Sequence, residues 1–84
     1  MNYNLASRAQ KRLLSIDRNE AKKILKKLDI LFALENPLYQ ATKLQGYDKV
    51  YRFRIGDYRT IFTITNGEGV VLWVSHRKDV YKEF

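Results

Sequence analysis

The sequence predicts an α+β domain: two N-terminal helices packed on one face of a small, mostly antiparallel sheet, in the order β-α-α-β-β-β with a short C-terminal tail. Three observations lead there. Apolar residues of the first half, from Ala9 to Phe32, recur at helical spacing, whereas those of the second half alternate as in strands. Two turn signatures, Gly56-Asp57 and the Asn66 to Gly69 stretch, divide the second half into three strand-like runs. Short connections between those runs leave an antiparallel meander as the natural arrangement, with the preceding helices free to cover one of its faces.

Taken in order, Asn2 to Leu5 can form a short first strand with Tyr3 and Leu5 turned inward, or an ordered lead-in; the strand is preferred. Ser7 has the chemistry of an N-cap for a helix running to about Ser15, with Ala9, Leu13 and Ile16 on its apolar side and Arg8, Lys11 and Arg12 largely outside. Asp17 and Asn19 offer acceptors for a second helix start. Its stripe is Ala21, Ile24, Leu25, Leu28, Leu31 and Phe32. The opposite side carries Lys22, Lys23, Lys26 and Lys27, which reads either as a solvated helix face or as a contact for RNA or an acidic partner. Pro37 disfavours helical geometry at Asn36, so the helix is expected to stop near Glu35. The stretch from Pro37 to Lys49 looks irregular, with a turn at Gly46. Strands are then predicted over Val50 to Ile55, Tyr58 to Thr65 and Val70 to Ser75. The face under the helices is expected to hold Tyr51, Phe53, Phe62, Ile64, Val70, Leu72 and Val74.

The chain of 84 residues makes one domain, 1–84, with no repeat, low-complexity tract or linker, and it has no cysteine to brace a small core. A single histidine argues against a structural zinc site, and no metal or small-molecule cofactor is expected. The formal charge of +7 biases the partner toward polyanions. The longest apolar runs, Ile30 to Leu34 and Val70 to Val74, fall far short of the ~20 residues that span a bilayer. Nothing apolar follows Met1 in the manner of a signal peptide, so no membrane partner and a cytoplasmic location are expected.

The stretch with the most chemistry is Tyr51 to Arg59, YRFRIGDYR, with the later segment His76 to Tyr81, HRKDVY. Alternation in a strand sends Tyr51, Phe53 and Ile55 to one face and Arg52 and Arg54 to the other. The hairpin partner adds Arg59. Guanidinium groups on neighbouring strands suit the forked geometry of phosphate oxygens. The bland alternative is a basic anion-binding surface without turnover. By the same alternation along Val70 to Arg77, Arg77 shares a face with Trp73 and Ser75, whereas His76, the one side chain of a type suited to protonating a leaving oxygen near neutral pH, points the other way with Leu72 and Val74, which favours a structural role over a catalytic one. Tyr58 and Trp73 read as core or groove-lining residues.

With its β, two helices, meander and tail, its R-x-G-x-Y-R hairpin and its final H-R-x-x-V-Y segment, nearly the whole chain resembles the RelE/ParE toxin superfamily. For the RelE type, the resemblance implies a toxin of a type II toxin-antitoxin system that cleaves mRNA in the ribosomal A site. The attack is by a ribose 2′-hydroxyl on the adjacent phosphate, without metal. The positions matching the family's cutting residues are Arg52, Arg54, Arg59, Arg77 and Tyr81. Arg52 and Arg54 stand where well-studied members carry lysine, and an arginine is a poor general base at neutral pH. Tyr81 is read either as a stacking or hydrogen-bonding partner of the substrate or as a core aromatic, with Val80 and Phe84 beside it. The implied partners are a cognate antitoxin and mRNA on the ribosome, with contacts to ribosomal RNA. Two alternatives stay open: a ParE-type inhibitor that binds DNA gyrase and has no nuclease site, and an inactive member that only binds its antitoxin.

Overall fold

The computed structural model describes residues 1–79. The first strand, β1 (Tyr3–Leu5), leads into two helices, α1 (Ser7–Ser15) and α2 (Arg18–Ala33), and then a 3-10 turn (Pro37–Gln40). Four more strands follow: β2 (Thr42–Lys43), β3 (Val50–Ile55), β4 (Tyr58–Thr65) and β5 (Glu68–His76). The sheet has five strands in the order β1-β5-β4-β3-β2. Only the β1–β5 pair is parallel. The predicted α+β class and helix-on-sheet layering hold, with one addition. β2, inside the stretch expected to be irregular, pairs Thr42 with Arg52 and Lys43 with Tyr51.

Local chemistry sets the element boundaries. Asp17 caps α2, its carboxylate accepting from the backbone N–H groups of Asn19 at 3.0 Å and Glu20 at 3.2 Å. At α1 the sequence reading needs correcting, because the capping position is Ala6 and no side chain caps the helix. Ala6 is still extended and donates its N–H to the Val71 carbonyl at 2.8 Å, so sheet pairing carries the chain one residue past Leu5 and makes Ser7 the first helical residue. The helix α2 ends at Ala33, two residues before the expected stop, and Asn36 instead caps the 3-10 turn that Pro37 opens. Both later hairpins have two-residue turns. Gly56 takes positive φ in the first, and Asn66 and Gly67 both do in the second, as the primed turns that match strand twist require. Glu68 and Gly69, expected in the second turn, already belong to β5.

The core lies between the helices and one sheet face. It joins Ala9 and Leu13 of α1 and Ile24, Leu28, Leu31 and Phe32 of α2 to Phe53, Ile55, Phe62, Val71 and Val74. Phe32 is its hub, stacked on Tyr3 at 4.8 Å and edge-on to Phe53 and Phe62, both at 5.2 Å between ring centroids. Gly69 sits against that hub, where an added Cβ would run into the Phe32 ring. Tyr3 also ties β1 to α2, its hydroxyl donating to Asp29 Oδ1 at 2.6 Å. Burial, and then the bond to Asp29 and its negative charge, push the Tyr3 phenol above its ordinary range.

One part of the predicted core face is wrong. Val70 and Leu72 do not lie under the helices; Val71 does, fully buried. The register slips between Ile61, opposite Trp73, and Phe62, opposite Val71, so Leu72 is the extra residue of a β-bulge. The bulge flips the side-chain parity of everything before it in β5. Thr60 is a second oddity of this face: it is fully buried opposite Phe53 and Val74, and its hydroxyl has no hydrogen-bond partner among the described residues. Thr60→Val is therefore expected to stabilise the fold by about 1 kcal/mol, because it removes an unsatisfied buried polar atom at nearly constant volume. Urea unfolding would then show a higher midpoint at unchanged slope, and a lower midpoint would contradict the reading.

Candidate functional site

The sheet face away from the core is built in cross-strand rows. The register sets Arg54 opposite Arg59 and Arg59 opposite Ser75; in the next row Arg52 faces Ile61 and Ile61 faces Trp73. Directly opposed residues project to the same side, so Arg52, Arg54 and Arg59 share the face turned from the helices. Arg52 and Arg59 are half-buried and Arg54 is exposed. The opposed Arg54 and Arg59 thus bring two cationic side chains into one row of this face, an arrangement that suits an anion.

Arg77 lies just past the end of β5. Its backbone N–H donates to the Asp57 carbonyl at 2.7 Å, and its Nε lies 3.7 Å from Asp57 Oδ1. The Gly56–Asp57 turn thereby holds Arg77 at the end of the sheet where Arg54 and Arg59 stand. The guanidinium itself is exposed. A surface ion pair at that distance restrains it only weakly.

His76 pairs with Tyr58 on the helix side, the ring edges meeting at 5.2 Å between centroids. Its Nδ1 accepts the backbone N–H of Lys78 at 3.2 Å, which leaves the ring proton of the neutral form on Nε2. The bulge confines the earlier parity argument to Trp73 and beyond: Val74 and His76 are on the helix side, Ser75 is on the arginine side, and Leu72 does not accompany Val74. Tyr58 packs against the core. Tyr81, with Val80 and Phe84, lies outside the described residues.

Two cations that the sequence reading left outside join this region. Arg8 of α1 places its guanidinium carbon 4.2 Å from the Trp73 ring centroid, and Arg12 lies 5.9 Å from it. Arg12 also donates Nε–H to the Val74 carbonyl at 3.3 Å and approaches Asp79 at 3.8 Å. No periodicity announces such contacts, because they join residues far apart in the chain. Lys23 and Lys27 of α2 line a cleft of about 450 Å³ together with Glu20, Ile24, Arg54 and Ile55, and Glu20 lies 3.7 Å from the Lys23 ammonium. Lys22 and Lys26 are exposed on α2.

The arrangement can therefore hold a chain of phosphates and stabilise charge that builds on one of them. The arginines cannot serve as proton acceptors near neutral pH. Among the described residues no helix is long and apolar enough to cross a membrane.

The sequence model of the ParE toxin of type II toxin-antitoxin systems (parDE) matches residues 3–81. No curated protein sequence matches the chain. Among solved structures, it is similar to the RelB-RelE antitoxin-toxin complex of Methanococcus jannaschii at 27% identity and a TM-score of 0.68, over 95% of this chain and 96% of that one. It is similar to the RelBE2 toxin-antitoxin complex of Mycobacterium tuberculosis at 19% identity and a TM-score of 0.74, over 90% and 96% of the two chains. For a mutant of Escherichia coli toxin RelE in the free state the values are 24% identity, a TM-score of 0.74, and 98% and 90% coverage. The last two likenesses are of fold.

Proposed function

The chain belongs to the RelE/ParE superfamily of type II toxins, and from that premise we propose that it is a ribosome-dependent endoribonuclease that cuts mRNA without a metal. The observation that carries this reading is the opposed Arg54–Arg59 pair with Arg52 on the same face. In the reaction a ribose 2′-oxygen attacks the adjacent phosphorus, the bond from phosphorus to the 5′-oxygen breaks, and a 2′,3′-cyclic phosphate forms. Negative charge grows on the non-bridging oxygens, where Arg59 and Arg54 would meet it with preorganised donors. Arg52 would hold a neighbouring phosphate and Arg77 would close the end of the site. Tyr81, matched to the family's C-terminal tyrosine, would stack on or hydrogen-bond to the substrate. A guanidinium is a poor general base, so the arginines act as a clamp; the ribosome-bound complex supplies the acceptor for the 2′-hydroxyl proton, and the leaving 5′-oxygen takes up a proton from that complex or from water.

A cognate antitoxin is the proposed protein partner. Solved relatives from Methanococcus jannaschii and Mycobacterium tuberculosis are complexes with their antitoxins, which supports it. A second reading, inhibition of DNA gyrase in the ParE manner, is favoured by the identity of the matching family model. Primer extension on ribosome-bound mRNA separates the two. New 5′ ends within translated codons are the expected result, and intact mRNA at saturating toxin would overturn the nuclease reading.

A further inference from the structure

The Arg8–Trp73 pair has no part in the reaction as derived so far, and it extends the arginine face onto a helix. β1 stops pairing with β5 at Val71, so the outer edge of β5 beyond that residue is left to α1. Ala6 N–H bonds to the Val71 carbonyl, Arg12 bonds to that of Val74, and Arg8 is thereby brought over the Trp73 ring. Trp73 lies in the row of Ile61 and Arg52, two strand spacings or about 10 Å from Arg52 across the sheet.

Arg8 and Arg12 differ in what they leave available. Arg12 is half-buried and committed to the Val74 carbonyl and to Asp79. Arg8 is exposed and has no carboxylate within ion-pair distance among the described residues. A guanidinium lying over an indole is restrained through its flat face, while its N–H groups point outward in the plane and keep their fork for an oxyanion. Helix stability does not explain the residue: a cation in the first turn opposes the helix dipole, and α1 has no acidic residue there to offset it.

We propose that Arg8, held over Trp73, is a preorganised phosphate subsite that binds the RNA strand beyond the nucleotides at the cut. The proposal rests on the RNA-cleaving reading and adds an exit or entry track from Arg52 across Ile61 to α1. Its ligand is single-stranded RNA, met through backbone phosphate.

Trp73 is the only tryptophan in the chain, so its emission follows binding at this row of the sheet without interference from another indole, and the Arg8 variants separate the subsite from Arg52. The full-length protein is titrated with a short oligouridylate at several salt concentrations, beside Arg8→Ala, Arg8→Lys and Arg52→Ala. Binding is expected to change Trp73 emission saturably. Arg8→Ala is expected to weaken affinity several-fold and to lower the log–log salt slope by roughly 1, with an unchanged melting temperature. Arg8→Lys should recover the slope but only part of the affinity, because it restores charge without the fork. If Arg52→Ala weakens binding while Arg8→Ala leaves affinity and slope unchanged, the subsite is wrong and the RNA-cleaving reading stands. If Arg8→Ala weakens only antitoxin binding, the pair serves a protein partner and the proposal falls. If the wild-type protein binds no RNA at any salt, free or on ribosomes, the underlying reading falls as well.

Discussion

Arg59→Ala is expected to cut the rate of mRNA cleavage by about 100- to 1,000-fold, roughly 3 to 4 kcal/mol of transition-state stabilisation, by analogy with the loss of one preorganised donor. The fold should survive. Arg59 projects from the sheet face turned away from the helices, so its removal opens no cavity in the core. Arg77→Ala should likewise abolish most cleavage, because the bond from its backbone N–H to the Asp57 carbonyl remains when the side chain is truncated. His76→Ala makes the contrast. It deletes the ring that meets Tyr58 edge-on and the acceptor of the Lys78 N–H, so it should lower stability, and any loss of activity should follow the fraction unfolded. Primer extension on ribosome-bound mRNA, run beside thermal melts of each variant, reads both quantities. A fully folded His76→Ala protein that cannot cleave would make His76 the proton donor to the leaving 5′-oxygen.

Phe32→Ala is expected to cost about 3 to 5 kcal/mol of folding stability. A domain of this length holds on the order of 4 to 13 kcal/mol in total, so the loss takes from about a quarter to all of its stability. The magnitude follows from position. Phe32 touches Tyr3 on β1, Phe53 on β3 and Phe62 on β4, and its ring fills the space that Gly69 leaves on β5. Removing it takes contacts from four strands at once. Phe32→Leu, which keeps much of the volume, should be clearly milder and folded, giving a measurable urea transition. A Phe32→Ala protein within 1 kcal/mol of the wild type would show that the aromatic hub is not the centre of the core.

Much of this layout is readable from residues alone, where a single local cause decides the structure. The Asp17 cap and the stripe ending at Phe32 define α2, and Gly56 and the Asn66-Gly67 pair demand the backbone geometry of tight hairpins. The placement of Arg52, Arg54 and Arg59 on one face follows from those turns and from period-two alternation. What sequence could not give depends on tertiary balance. β2 is two residues long, Thr42–Lys43, and carries no period of its own; it exists because β3 offers an edge. The bulge at Leu72 is hidden because Val70 to Val74 is uniformly apolar, so no polar residue marks which side faces water. Ser7 looks like a cap, yet pairing of Ala6 with β5 decides where α1 begins. The contacts of Arg8 and Arg12 with Trp73 likewise arise only once α1 is docked on the edge of β5.

The central claim is that the arginine face cuts RNA rather than binding a protein, and induction of the wild-type chain in growing cells tests it most directly. Transcriptome-wide mapping of 5′ ends should reveal new cuts within translated codons soon after induction, absent when Arg59→Ala is induced to the same level, with chromosomal DNA intact. Unchanged mRNA ends accompanied by double-strand DNA breaks would contradict the account and assign the chain to gyrase inhibition.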